Sequence, residues 1–236
     1  MSADQAIVLR GLRFHWRVSQ PVLDIPALDI ARGEHVFLHG RSGSGKSTLL
    51  ALLAGVLSPV AGRVQVMGED LSTLRAGQRD ALRAREIGMI FQMFNLLPFL
   101  SVRENILLGC RLSKSRHAQA AGAGQAADEA DRLLDALGMS PARFARTPAG
   151  QLSVGQQQRV AAARALIGGP ALVIADEPTS ALDEDAGAAF LALLQAEARR
   201  HGTTVLLVSH DHRLGAGFDR DIALARLNRV ALGAAA

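Results

Sequence analysis

Short apolar runs recur along the chain, and longer stretches with helical spacing separate them. Val36 to Leu38, Arg63 to Val66, Ile87 to Phe91, Leu172 to Ala175, Val205 to Val208 and Ile222 to Ala225 read as strands. Several are unbroken apolar runs rather than alternating ones, the pattern of strands covered on both faces. Helical stretches between them include Lys46 to Leu53, Gln156 to Ile167 and Asp185 to Arg200. This alternation predicts an α/β fold with parallel strands in its core. From about Asn95 to Gly168 no strand pattern occurs and helical spacing dominates, apart from the polar, Ala- and Gly-rich stretch Arg111 to Gln125, which reads as a loop or frayed helix junction. The expected layout is an α/β core over residues 1–92 and 156–236, with a helical subdomain inserted over residues 93–155. No internal repeat is visible.

Composition narrows the setting. With 236 residues, 49% of them apolar and 20% charged, the chain can bury a core, which excludes global disorder. The formal charge is only +4 although the pI is about 10.4. The basic set is almost entirely arginine, with Lys46 and Lys114 the sole lysines. A basic face would suit anionic lipid or nucleic acid, but compositional bias in an Ala-rich chain is the simpler account. Cys110 is the one cysteine, so no intrachain disulfide can form, a reducing compartment fits, and no Cys or His stands at metal-ligand spacing from it. Met1 to Gln5 is polar and lacks a basic run leading into an apolar core, so no secretory signal is expected. The longest apolar stretches, Leu49 to Leu57 and Ala165 to Ala175, fall short of the roughly 20 residues a spanning helix needs.

The strongest chemical signal is Gly40-Arg41-Ser42-Gly43-Ser44-Gly45-Lys46-Ser47-Thr48, between the strand Val36 to Leu38 and an apolar helix. It matches the phosphate-loop pattern G-x-x-x-x-G-K-[ST] in its required context. Glycines let backbone N–H groups turn toward phosphates, and the following helix N-terminus adds partial positive charge. Lys46 is expected on the β- and γ-phosphates, Ser47 on Mg²⁺, and Thr48 near the phosphates. By itself such a loop does not choose among kinases, GTPases, motors and transport ATPases. Leu172 to Ala175 leads into Asp176 and Glu177, adjacent acids at a strand end that face opposite sides. Asp176 is expected to help hold Mg²⁺, and Glu177 to orient and polarise an attacking water. A third element, Leu152-Ser153-Val154-Gly155-Gln156, opens a helix with Ser153 near the capping position and Gly155 allowing close backbone approach. It reads as a second anion site in a chain whose own phosphate loop is already complete.

Phosphate loop, L-S-x-G-Q, acidic strand end, Ser180-Ala181-Leu182-Asp183 and a histidine after an apolar strand stand here in the order and spacing of ABC-transporter nucleotide-binding domains. The resemblance spans roughly residues 7 to 225. It implies a P-loop NTPase core with N-terminal antiparallel strands and one domain whose helical part ends in the signature. It also implies a head-to-tail homodimer sandwiching two ATP molecules with Mg²⁺. Each ATP would touch one subunit's phosphate loop and the other's Ser153, Gly155 and Gln156. The resemblance makes Gln92 the link from Mg²⁺ and water to the helical subdomain. His210, favoured over His212, becomes the γ-phosphate switch, and Asp183 an interface residue joining the two sites. The remaining five histidines read as ordinary surface or core residues.

This sequence departs from the family twice. It contains no tyrosine, so Trp16 takes the adenine-stacking place, with Phe14 the alternative that more naturally faces the core. Val154 stands where glycine is commoner, which predicts altered packing at the signature. Phe91-Gln92-Met93-Phe94-Asn95-Leu96-Leu97-Pro98, with Val102-Arg103-Glu104-Asn105-Ile106, resembles the bacterial lipoprotein-releasing, macrolide-exporting and cell-division cassettes. That group implies an integral membrane permease, a periplasmic adaptor reached through it, and a peripheral position on the cytoplasmic face of the inner membrane. The apolar residues after Gln92 would grip the permease, or else Phe94, Leu96 and Leu97 simply pack the subdomain. The rival reading is a non-transport ABC ATPase acting on nucleic acid or the ribosome. It lacks the long coiled coil or second cassette such proteins carry, so no nucleic-acid partner is expected. A GTPase reading fails for want of an N-K-x-D motif, and a kinase would leave the second anion site unexplained.

Overall fold

The computed structural model describes residues 4–122 and 124–230. The reading of the polar start rests partly on Met1 to Ala3, which lie outside the described residues.

The chain opens with a long hairpin, β1 (Gln5–Arg17) and β2 (Gln20–Ala31), then enters β3 (His35–His39) and α1 (Lys46–Leu53). Next come β4 (Ala61–Val66), β5 (Glu69–Asp70), α2 (Ala76–Glu86) and β6 (Ile87–Ile90). Four helices follow without a strand among them: α3 (Val102–Arg111), α4 (Lys114–Ala121), α5 (Ala126–Ala136) and α6 (Pro141–Phe144). The chain then runs through α7 (Val154–Leu166), β7 (Leu172–Asp176), α8 (Glu184–Arg200), β8 (Thr204–Ser209), β9 (Arg220–Ala223) and α9 (Leu224–Leu227).

These strands form two sheets. One is antiparallel in the order β2-β1-β4-β5, and the other is parallel in the order β6-β7-β8-β3-β9. The mixed α/β architecture expected from the apolar runs is the one observed. The parallel strands β3, β6, β7 and β8 divide their side chains between two cores. Val36, Leu38, Leu172, Ile174, Leu206 and Val208 join α1 and the antiparallel sheet. Phe37, Val173, Ala175, Val205 and Leu207 face α3, α5, α7 and α8 on the other side. That two-sided burial is why these strands read as continuous apolar runs.

The structure departs from the sequence expectations in two places. The last strand is Arg220–Ala223 and the chain turns helical at Leu224, so Ile222 to Ala225 was placed too late. Within Arg111 to Gln125, expected as a loop or frayed helix junction, Lys114–Ala121 is a formed helix. Ser113 caps it, and the Arg116 guanidinium, 3% exposed, donates to the carbonyls of Ile87, Ala165 and Ile167. Burial pushes that guanidinium down to about 10. Tertiary anchoring, not local propensity, makes this segment helical. Cys110 is fully buried, with its thiol 3.4 Å from the Leu107 carbonyl and pushed up by burial, an inert core residue.

Candidate functional site

The parallel sheet brings four chain segments to one edge. β3, β6, β7 and β8 all run the same way, so their C-terminal ends deliver Gly40, Gln92, Glu177 and His210 to the same side. Ligands of open α/β sheets bind along this edge. A cleft of about 580 Å³ lies there, lined by Trp16, Val22, Ser42, Gly43, Gly45, Lys46, Ser47, Thr48, Gln92, Asp176, Glu177 and His210.

The loop between β3 and α1 wraps its own lysine. Lys46, 8% exposed, donates from Nζ to the Gly40 carbonyl at 2.7 Å and the Arg41 carbonyl at 3.1 Å. Gly45 enters α1 at φ 96°, and a methyl group there would lie 2.9 Å from Leu23, so only glycine fits between this loop and β2. Ser44 is buried with an unpartnered hydroxyl, a donor held inside the loop. Ser47 hydrogen-bonds Asp176, whose carboxyl is raised by burial and by neighbouring Glu177, against the pull of Ser47 and Lys46.

Glu177 is held more tightly than a surface acid. Its backbone sits at φ 47°, a left-handed conformation costly for a non-glycine residue. Oε2 accepts from Ser209 Oγ at 2.9 Å and lies 2.9 Å from His210 Nδ1. Oε1 has no hydrogen-bond partner among the described residues and stands 3.9 Å from Lys46 Nζ. One oxygen is therefore fixed and the other faces the cationic side of the cleft. His212 points elsewhere, its ring in edge contact with His39 at 4.2 Å.

A family profile described as ABC transporter matches residues 23–180, a span that holds both the phosphate loop and the acidic strand end. The chain belongs to the ABC transporter family. The cassette is 43% identical over 197 residues to the uncharacterized ABC transporter ATP-binding protein YbbA of Escherichia coli K12, covering 84% of this chain and 83% of that protein. It is 42% identical over 225 residues to the lipoprotein-releasing system ATP-binding protein LolD of Anaeromyxobacter dehalogenans, covering 94% and 91%. It is also 42% identical over 219 residues to the macrolide export ATP-binding/permease protein MacB 1 of Aeromonas hydrophila, covering 92% of this chain and 32% of that longer protein. Among solved structures, the dimeric ABC transporter cassette MJ0796 superposes with a TM-score of 0.79 at 33% identity, covering 92% of this chain and 93% of that one. A post-hydrolysis dimer of the same cassette bound to ADP and phosphate superposes at 0.78.

The signature of this cassette stands outside the cleft. Ser153 and Gln156 are engaged with each other at the start of α7: Gln156 N–H donates to Ser153 Oγ at 3.4 Å, and Ser153 N–H donates to Gln156 Oε1 at 2.9 Å. Gly155 lies in that first turn, beside Leu182. Asp183 caps α8 through Ala186 N–H at 2.8 Å and lines a neighbouring hollow of about 150 Å³ that also includes Glu177 and His210. Within one chain, then, Ser153, Gly155, Gln156 and Asp183 do not join the phosphate loop's cleft. Ser209 and Val22 are site residues the motif reading did not single out. Ser209 could have been found as the residue between an apolar strand and His210; Val22 sits on a strand the apolar runs had not delimited.

Two further expectations resolve in the structure. Phe14 is 6% exposed and faces the core, whereas Trp16 is 64% exposed at the cleft rim, edge-on to Phe14 with ring centroids 5.1 Å apart. After Gln92, Phe94 is buried and Leu96 packs against the core, so these two are not the gripping surface. The large apolar side chains left exposed are Met93, Leu97 and Phe99. If Trp16 carries the base, Trp16→Ala should weaken ATP binding about 10-fold, the scale of one lost stacking partner, and leave tripolyphosphate binding unchanged. Equilibrium dialysis with both ligands checks this; equal losses would remove Trp16 from the base site.

Proposed function

We propose that this cassette hydrolyses ATP as one half of a homodimer and thereby drives conformational change in a separate membrane permease. The observation that carries the reading is the convergence of Lys46, Ser47, Gln92, Asp176, Glu177 and His210 on one cleft at the C-terminal edge of the parallel sheet. ATP binding and ATPase activity belong to the family in general; the coupling, the partners and the individual roles are the proposal.

In this scheme the loop Gly40 to Thr48 cradles the phosphates, Lys46 exchanging the Gly40 and Arg41 carbonyls for phosphate oxygens. Glu177 Oε1 takes a proton from the attacking water while Ser209 and His210 hold the other oxygen still. His210 then follows the γ-phosphate. Trp16 stacks on adenine. A Ser47 hydroxyl, a carboxylate desolvated beside it at Asp176 and the Gln92 amide form a hard-donor set that fits Mg²⁺, which takes few protein ligands and completes its shell with phosphate and water. Bound there, the ion would neutralise charge on the phosphates. Residues 93–155 act as the helical subdomain, and its exposed signature reaches the partner's ATP. The two dimeric neighbours support that arrangement.

No helix among the described residues is long and apolar enough to cross a membrane, and in the proposed scheme a separate permease supplies the membrane part. A groove of about 560 Å³ beside the segment after Gln92, lined by Phe91, Asn95, Leu112 and Arg116 among others, is the surface that would receive it. Similarity to LolD and MacB supports the group that works on the bacterial envelope from the cytoplasmic face of the inner membrane, with an adaptor joined through the permease. The test is phosphate release by the purified chain with ATP and Mg²⁺, followed as its concentration is varied alongside sedimentation. Turnover should rise with the dimer fraction and vanish on chelation of Mg²⁺. Full hydrolysis by a strictly monomeric chain would refute the sandwich.

A further inference from the structure

Arg164 sits near the end of α7, twelve positions from the start of the signature, and its backbone cannot move freely. A methyl group on Gly109 of α3 would stand 2.0 Å from the Arg164 carbonyl oxygen, and one on Gly88 of β6 would stand 2.1 Å from the Ala165 carbonyl oxygen. Two glycines, one on a helix and one on a strand, thus let both elements grip α7 at a separation no side chain would permit. From this fixed point the guanidinium reaches across to the segment that follows Gln92. Nη2 donates to the Phe94 carbonyl at 2.5 Å and Nη1 to the Asn95 carbonyl at 2.6 Å.

Those two carbonyls belong to an unusual pair. Phe94 has φ 57° and Asn95 has φ 51°, consecutive left-handed residues that are not glycine. Such a conformation is costly for a bulky side chain and persists only where surrounding contacts hold it. The holding group is itself held at a cost. Burial lowers the Arg164 guanidinium below its ordinary value, and among the described residues no carboxylate pairs with it. An uncompensated charge and two strained residues meet two positions after Gln92, which lines the nucleotide cleft.

We propose that Arg164 is a positioning residue, a strut that locks the Gln92 segment of one ATP site to the helix whose other end is offered to the second ATP. The proposal rests on the hydrolytic reading above. From Gly155 to Arg164 the helix spans about 14 Å. A shift of Gln92 on loss of the γ-phosphate would therefore swing the signature about this gripped end of α7, and the reverse.

The experiment compares Arg164→Lys, Arg164→Met and Gln92→Ala, singly and with Gln92→Ala combined with each Arg164 change. Lysine keeps the charge but not the planar fork that spans two carbonyls. Methionine removes the uncompensated charge and is the variant whose folding is safest. Phosphate release should fall about 10- to 100-fold in kcat for both, the scale of a misplaced reacting group. ATP affinity by equilibrium dialysis should stay within about 3-fold, since Lys46 and Trp16 are untouched. In the Gln92→Ala background the Arg164 changes should cost almost nothing more, because both lie on one link. A folded Arg164→Met protein with unchanged kcat, or losses that multiply independently of Gln92→Ala, overturns the strut alone. A wild-type chain that releases no phosphate from ATP with Mg²⁺ overturns the strut together with the hydrolytic reading.

Discussion

Glu177→Gln is expected to keep ATP binding and to lower turnover by about 10²- to 10⁴-fold, the range for a lost general base. The substitution is close to isosteric, and its surroundings tolerate it. With the amide oxygen in the place of Oε2, Ser209 Oγ donates to it as before and His210 can donate to it from Nδ1, which leaves the amide nitrogen in the place of Oε1. The Lys46 contact at 3.9 Å weakens, but Lys46 keeps its bonds within the phosphate loop. The missing element is the proton-accepting oxygen facing the cleft. Phosphate release measured beside equilibrium dialysis separates the two effects. Near-wild-type hydrolysis would move the base elsewhere.

Gly155→Asp is expected to abolish ATP-dependent dimerisation, and hydrolysis with it. A carboxylate about 4 Å from phosphate oxygen costs about 4 kcal/mol at an effective dielectric near 20, roughly three orders of magnitude in association. The isolated fold gives no comparable objection. A β-carbon on Gly155 would meet only Leu182, at an ordinary 3.4 Å. The Ser153–Gln156 capping pair is untouched, and an acid in the first turn of α7 is favourable to the helix dipole. A variant with a wild-type melting temperature that stays monomeric with ATP and Mg²⁺ therefore reports on the interface and not on folding. An unchanged ATP dimer in sedimentation would falsify the assignment of this turn to the partner's nucleotide.

Much of this architecture could be read before any coordinates. The parallel strands announced themselves because both faces of each are buried, and the phosphate loop did so because its chemistry restricts nearly every position. The antiparallel hairpin was harder to delimit. β2 carries Pro21 and Pro26, which weaken a strand signal, and they are tolerated because β2 is the edge of its sheet. β1 alternates buried and charged residues but carries register shifts near Phe14 to Arg17. α4 stayed hidden because its helix depends on Arg116, a residue that looks solvated in sequence and is buried in fact.

Site residues show the same division. Lys46, Ser47, Asp176 and Glu177 stand in fixed patterns whose purpose is local, so spacing alone singles them out, and the fold gathers them in one cleft. The Arg164 contact to Phe94 and Asn95 joins residues about seventy positions apart, and nothing in either segment advertises it. The same holds for Phe94 and Leu96: apolar letters after Gln92 do not say which turn inward. The left-handed backbone at Phe94 and Asn95 decides that, and sequence spacing carries no such signal.

One consequence of the rim of the cleft reaches to the bench. The chain contains a single indole and no phenol, and the fold has set that indole half in solvent where a base would lie. Its ultraviolet emission therefore originates from one address, with no second chromophore of its kind to dilute the signal. If Trp16 stacks on the base as proposed, an unlabelled sample carries its own optical gauge of occupancy, readable in real time while the rest of the molecule stays dark.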